Sequence, residues 1–384
     1  MRSRMFPMLT LFLLLFAALN YYVGYHLWMY LSFMLRFGDS TIFWILFWIV
    51  TFSYVIGRAG TRFIGRPAAH LLRQIGSIWF GVLEYSVLLL PLADLLSVIL
   101  RAGGMPTEDV LKLLGSIVFV LLIALLAWGT YNAWNPVVRR YNIHIPKNGG
   151  GRERLHIAMA SDIHLGTIVG NKHLGRLQKV MDALKPDLIL LPGDIIDDDI
   201  EPFVREKMSS GLARLTAPLG VYAVLGNHDY YGGHVQQLVK ELQAINIRTL
   251  QDEHVLIDNS FYVIGRKDRT AETMEPGGRF AVEALTAAVD KSRPVILMDH
   301  QPHHLDKASE AGIDLMLSGH THRGQMAPNH LITRRIFELD WGYLLKGGMH
   351  AIVSSGFGTW GPPIRLGSRS EVIDIRISFG TEPV

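Results

Sequence analysis

"GVYAVLGNHDYYGG" (residues 220–233) changes character at its midpoint. The first half is short and apolar and reads as a buried strand. The second half sets a glycine, an amide, an imidazole and a carboxylate in four consecutive positions, Gly226, Asn227, His228 and Asp229. The same design recurs four times. "RLHIAMA" (154–160) is followed by Ser161-Asp162-Ile163-His164, and "DLILLPG" (187–193) by Asp194. "PVILMDH" (294–300) ends in His300, and "IDLMLSG" (313–319) is followed by His320-Thr321-His322. Helix-like stretches near 171–184, 203–215, 232–245 and 280–290 lie between these runs, so the pattern predicts an α/β domain.

Any one of these clusters is weak. A lone Asp-x-His is more often solvated, and an Asp after Gly is a common turn. Five in order, each at a strand end, bring seven N or O donors to the edge where α/β sheets collect ligands. In extended chain, positions i and i+2 share a face, so Asp162 with His164, and His320 with His322, are expected to approach one centre each. Glycine before Asp194, Asn227 and His320 allows the chain to turn as the strand ends. The chain has no cysteine, so a metal here is held by His, Asp, Glu or Asn. Such a mixed donor set suits Mn, Fe or Zn, and its composition implies two metals. A carboxylate bridging two cations about 3.5–4 Å apart holds a water between them, brings its pKa toward neutrality and so yields hydroxide. Asn227 then serves as a neutral oxygen ligand, and His228 is free to act on substrate.

The first 150 residues differ sharply from the rest. They carry 12 Lys/Arg against 5 Asp/Glu, whereas the remaining 234 carry 25 against 29. The basic excess therefore belongs to the apolar third. The slightly acidic remainder lacks the basic face that nucleic-acid binding needs, and no nucleic-acid partner is expected. Four stretches, about 7–33, 41–57, 76–100 and 110–132, are long and apolar enough to span a bilayer. The first reads as a span and not as a cleaved leader, because no small-residue cleavage site precedes further apolar sequence. Arg2 and Arg4, then Arg58, Arg62, Arg66 and Arg73, then Arg139, Arg140 and Lys147 mark alternate sides of these spans. The positive-inside rule places the N-terminus, the second loop and the following domain in the cytoplasm. Glu84 and Asp94 fall inside the third span, as functional intramembrane acids or as groups near its ends. The expected organisation is a membrane region over 1–134, a glycine-rich linker over 135–153 and an α/β domain over 154–384.

"SDIHLG" (161–166), "LPGDIID" (191–197), "LGNHDYY" (225–231), "MDHQP" (298–302) and "SGHTHRGQ" (318–325) resemble the ordered motifs of the calcineurin-like metallophosphoesterase superfamily. "APLGVYAVLGNHDYY" (217–231) and "VSSGFGTWGPPIRLGSRSEV" (353–372) are similar to its bacterial branch of membrane-associated phosphodiesterases, which includes enzymes of phospholipids and lipid-linked substrates. The resemblance covers roughly residues 154–378. It implies a β-sandwich flanked by helices and two divalent transition metals. Asp162, His164 and His322 would hold one, Asn227, His300 and His320 the other, and Asp194 would bridge. It also implies that His228 protonates the leaving group or stabilises transition-state charge, with Asp229 orienting it.

Arg323 departs from the glycine that many relatives carry after the GHTH motif; it either forks onto phosphate or points outward. GNHD in place of GNRD makes the lipid A precursor hydrolases a poorer match. The run Asp197-Asp198-Asp199 reads as a solvated loop, a helix start or a substrate-selecting element. Tyr230, Tyr231, Trp341, Tyr343 and Trp360 either line an apolar substrate groove or belong to the core.

The expected function is hydrolysis of a phosphodiester or phosphomonoester, with membrane lipids as partners and a lipid or lipid-linked substrate. The alternatives are an anchored hydrolase of a soluble phosphoester such as a cyclic nucleotide, and a membrane sensor or transporter with a regulatory phosphoesterase domain.

Overall fold

The computed structural model describes residues 2–36 and 38–380. Residues 381–384, included above in the soluble domain, lie outside the described residues, as do the side chains of Arg2, Arg4 and Arg62. The chain divides into two compact units between Gly129 and Thr130.

The first unit contains helices α1 (Arg2–Leu35), α2 (Ser40–Ala59) and α3 (Arg66–Ala102), and most of α4 (Thr107–Trp134). Each is long and apolar enough to cross a membrane. Their small interior is built on Val23, Phe47, Trp79, Leu83 and Leu90, while leucines such as Leu11, Leu14, Leu46 and Leu92 face outward, as a lipid solvent requires. Buried Asn20 accepts hydrogen bonds from Trp79 Nε1 (2.9 Å) and Thr51 Oγ1 (3.4 Å), which satisfies its amide oxygen across helices. Asp94 accepts from Tyr22 Oη at 2.5 Å and stands 3.4 Å from His26 Nε2. Glu84 sits halfway along α3 and not near an end.

The second unit carries twelve strands among the described residues. These are β1 (Val137–Ile145), β2 (Arg154–Met159), β3 (Leu188–Pro192), β4 (Val221–Val224), β5 (Ile247–Thr249) and β6 (Glu253–Ile257). They continue with β7 (Phe261–Gly265), β8 (Val295–Met298), β9 (Leu315–Ser318), β10 (Gly342–Lys346), β11 (Met349–Val353) and β12 (Glu371–Phe379). One sheet runs β1-β12-β2-β3-β4-β5 and the other β10-β11-β9-β8-β7-β6. Within them β2, β3 and β4 are mutually parallel, as are β7, β8 and β9.

Side-chain alternation builds the layers. Ile157, Met159, Leu188 and Leu190 meet Val263, Ile296, Met298, Leu315 and Leu317 of the opposite sheet in one fully buried cluster. Their neighbours Ala158, Ile189 and Leu191 face the other way, onto α5 (Asn171–Leu184) and α8 (Val235–Gln243). Leu297 and Met316 face a third cluster under the outer helices of the second sheet. The result is a β-sandwich flanked by helices, with a period-2 pattern sorting each strand between two cores.

Residues 135–153, expected as a linker, contain β1, which pairs in parallel with β12 over nine residues. The segment's closing glycine run and low apolar content made it read as a linker. Arg139 and Arg140 meet the buried carboxylates of Glu371 and Asp374 on the neighbouring strand, both at 3.3 Å. An edge position lets their charged ends reach water at the same time.

His173 on α5 lies face to face with Phe357 (4.3 Å between centroids) and edge-on to Trp134 (4.9 Å), and it donates from Nε2 to Phe357 O at 3.1 Å. Burial, with Arg176 and Arg365 nearby, drives its pKa from 6.5 down to about 4. A depressed imidazole pKa means that the unfolded chain takes up a proton first. The stability tied to His173 is therefore complete above pH 6.5 and is lost as pH falls toward 4. Thermal unfolding from pH 7 to pH 4 is expected to show a smaller acid-induced drop in His173→Gln than in the unmodified chain.

Candidate dinuclear metal centre

Five strands end at one place. β2 delivers Asp162 and His164, β3 delivers Asp194, and β4 runs into α7 (Asn227–Tyr231). β8 delivers His300, and β9 delivers His320 and His322. The i and i+2 pairs converge by a different route from the extended geometry expected. Asp162 (φ 52°), His164 (51°), Asp194 (54°), His320 (72°) and His322 (48°) all adopt left-handed backbone. Each such non-glycine residue costs on the order of 1–3 kcal/mol and persists only where its surroundings enforce it.

The glycines before the donors also act differently from expectation. Gly193 does turn the chain, at φ 90°. At Gly226 and Gly319 the requirement is space: an added Cβ would collide with Asp194 and His300 in one case and with Asp162 and Ser161 in the other.

The donors fall into two groups that share Asp194. On one side, His164 Nε2 faces His322 Nε2 at 3.0 Å, stands 3.6 Å from Asp194 Oδ2, and His322 Nε2 lies 3.5 Å from Asp162 Oδ1. On the other, His300 Nε2 lies 3.2 Å from Asp194 Oδ2 and 3.2 Å from Asn227 Oδ1, and His320 Nδ1 lies 2.8 Å from the same amide oxygen. Ligand atoms of Asp162, His164 and His322 lie within 4.8 Å of one another, as do those of Asp162, Asp194 and His300. Every one of these residues is buried or nearly so.

Second contacts set these groups. His300 Nδ1 donates to Pro192 O at 2.9 Å, which aims Nε2 at the cluster, where the neighbouring Asp194 favours the protonated ring until a metal displaces the proton. Asp194 Oδ1 accepts the His228 N–H (2.9 Å), and Asp162 Oδ1 accepts the His320 N–H (2.8 Å). Burial alone would raise Asp194, but His300, His164 and His228 together hold it well below the usual carboxylate range. Burial and the neighbouring Asp194 push Asp162 up. Burial, His164 and buried Arg365 keep His322 neutral, the form that ligates. Asp162 Oδ2 is buried with no hydrogen-bond partner. An unsatisfied buried carboxylate oxygen beside imidazole nitrogens fits divalent cations, and the mixed N/O donors fit transition metals.

His228 is where the sequence reading needs correction. Its Nδ1 contacts Asp198 Oδ1 at 2.7 Å, not Asp229. Asp229 instead accepts the backbone N–H groups of Gly226 (2.8 Å), Ile196 (2.9 Å) and Ile195 (3.2 Å), bracing the β3 and β4 ends against each other. Burial would lower His228, but Asp198, Asp194 and Asp197 outweigh it and lift the imidazole to about 9. The acidic run thus divides its labour: Asp199 caps α6 (Ile200–Arg205) through the Glu201 N–H, and Asp198 holds His228.

Of the five aromatics, Tyr231 and Trp360 flank the His228 ring at 5.4 and 5.9 Å, and each is 56% exposed. Tyr230 is core, and Tyr343 lies on edge strand β10. Trp341 carries the Arg323 guanidinium carbon over its ring at 4.0 Å, a cation–π contact that holds Arg323 in place. Sequence reasoning missed Arg365, fully buried, which donates to Gly358 O and reaches His322 Nδ1 at 3.2 Å. It stands in the quoted stretch 353–372, but nothing in its spacing marked it as internal.

A family profile for calcineurin-like phosphoesterases matches residues 155–324. A metallophosphoesterase of Aquifex aeolicus is 36% identical over 244 residues, covering 62% of this chain and 91% of that protein. A metallophosphoesterase of Campylobacter jejuni is 26% identical over 364 residues, covering 88% of this chain and 91% of that protein. The "Transmembrane protein with metallophosphoesterase domain" of Danio rerio is 30% identical over 272 residues; the match covers 68% of this chain but only 62% of that protein. The chain belongs to the calcineurin-like metallophosphoesterase family, and its second unit is a metal-dependent phosphoesterase. Its four apolar helices make it a membrane-associated member.

If the cluster holds cations, chelation removes stability as well as activity. Protein treated with a chelator is expected to unfold several degrees below protein resupplied with Mn or Zn, since ligand at 100 times its dissociation constant adds about 2.7 kcal/mol. Scanning fluorimetry with and without metal reads this directly.

Proposed function

We propose that this chain is a membrane-anchored, dinuclear-metal phosphoesterase acting on a lipid or lipid-linked phosphoester. The observation that carries it is the paired donor set around Asp194, flanked at His228 by two exposed aromatic rings. Asp162, His164 and His322 would hold one metal and Asn227, His300 and His320 the other, with Asp194 available to both. Two divalent ions from Mn, Fe or Zn supply Lewis acidity toward phosphoryl oxygens and activation of water.

The protein's own groups do the rest. Asp198 engages His228 Nδ1, so Nε2 is the atom that gives a proton to the leaving oxygen. Asp229 keeps the loop beneath His228 rigid through its three backbone bonds. Tyr231 and Trp360 offer apolar surface to the substrate's organic part, and Arg323, held over Trp341, offers its remaining donors to phosphate.

The apolar helices form a multi-pass anchor and the second unit, from Thr130 onward and with β1 in its sheet, the enzyme, on the cytoplasmic side by the arginine distribution of the loops. Tethering favours substrates that share the bilayer. The acidic balance of the second unit disfavours nucleic acid.

The purified full-length protein is tested for metal content and for hydrolysis of bis(p-nitrophenyl) phosphate, phospholipid phosphoesters and a cyclic nucleotide. Two transition metals per chain and preference for lipid are expected; preference for the nucleotide replaces the lipid reading. His228→Ala is expected to lose about 10²–10⁴-fold in turnover with metal retained. Asp194→Asn is expected to lose both metals and all measurable rate; full metal and full rate in that variant would sink the assignment. Asp198→Asn is expected to cost roughly 10–100-fold, with metal content unchanged.

A further inference from the structure

Helix α9 (His330–Ile336), sequence HLITRRI, has no buried residue. Leu331, Ile332 and Ile336 are 56%, 58% and 61% exposed, on a seven-residue element whose short length and apolar content would ordinarily place it against a core. Arg334 and Arg335 flank them, no acid lies in the helix, and neither guanidinium meets a carboxylate among the described residues. Three aliphatic side chains beside two unpaired arginines form a surface complementary to one environment: a hydrocarbon layer under negative headgroups.

The helix is also tied to the metal cluster. Asp340 accepts from Thr333 of α9 through Oδ2 (2.7 Å) and from Thr321, between His320 and His322, through its backbone oxygen (2.5 Å). Phe337, at the end of α9, sets its ring 5.8 Å from that of His320 and 4.9 Å from that of His303. The helix that carries the apolar face is therefore anchored beside the site.

We infer that α9 docks on an anionic lipid bilayer, with Leu331, Ile332 and Ile336 in the acyl boundary and Arg334 and Arg335 at the headgroups. Charge complementarity selects the occupant. A neutral apolar partner would leave two arginines uncompensated, and an acidic soluble partner would leave three aliphatic chains in water. The inference deepens the lipid-substrate reading, because it would bring the metal site toward headgroup level.

The chain has no cysteine, so single replacements label cleanly. Full-length Ile332→Cys and, separately, Ile336→Cys are labelled with an environment-sensitive fluorophore in nanodiscs of phosphatidylglycerol and phosphatidylcholine containing doxyl-lipid quencher. Gln236→Cys, exposed on α8, is the control. Lipid quenching at 332 and 336, absent at 236 and weakened in pure phosphatidylcholine or high salt, is expected. Arg334→Glu with Arg335→Glu in the Ile332→Cys background should lower the docked-to-undocked ratio by at least the roughly fivefold per residue that a lost cation costs at an anionic surface. Labels open to aqueous iodide and untouched by doxyl lipid overturn the inference. Labels shielded from both quenchers overturn it too, since protein then covers the face. The readout needs no turnover, so it stands or falls separately from the choice of substrate.

Discussion

Asp162 and Asp194, both buried and within a few ångströms of each other's ligand partners, are the constraint around which the second unit is arranged. Two carboxylates out of water cost several kcal/mol each unless their charge is met. The protein supplies partial answers: backbone N–H groups, the His300 ring, and the buried cation Arg365 behind His322. Asp162 Oδ2 is left over. A cation at the junction of the two donor groups would resolve this remainder. The left-handed residues around it make sense on the same terms, since strain concentrated in the donors is tolerable where a metal would hold them together.

Much of this was legible in the sequence because strands and donors are both local signals. An apolar run of four to six followed by a polar cluster identifies a strand end without any knowledge of what lies across from it. That is why β2, β3, β4, β8 and β9 were found with the polar clusters that follow them. Seven strands among the described residues were not found, and three of them have other signatures. β1 lies in a segment that has little apolar content and ends in a glycine run, and the carboxylates that meet its Arg139 and Arg140 are more than 200 residues away on β12. β6 and β10 are edge strands with half-exposed faces, where periodicity is weak.

The site itself shows the same boundary between local and distant information. The residue types gathered at the strand ends were readable, but their geometry was not: extended chain was expected where five residues turn left-handed. The partner of His228 was assigned to its sequence neighbour Asp229, yet the contact comes from Asp198, thirty residues earlier on the adjoining strand end. Asp229 cannot serve both roles. Its carboxylate is already occupied by three backbone donors, and its position one residue after His228 directs it back into the loop.

Gly226 and Gly319 contribute to the centre by what they omit. The volume a methyl group would fill at each is already taken by the carboxylate of Asp194 or Asp162. The surface that shapes the centre is thus made partly of hydrogen atoms on the main chain. In evolutionary terms, tolerance to substitution should drop at these two positions as steeply as at the ligands themselves. A drifting lineage could exchange one N/O donor for another and still hold a metal, but it has no smaller residue to put in place of glycine.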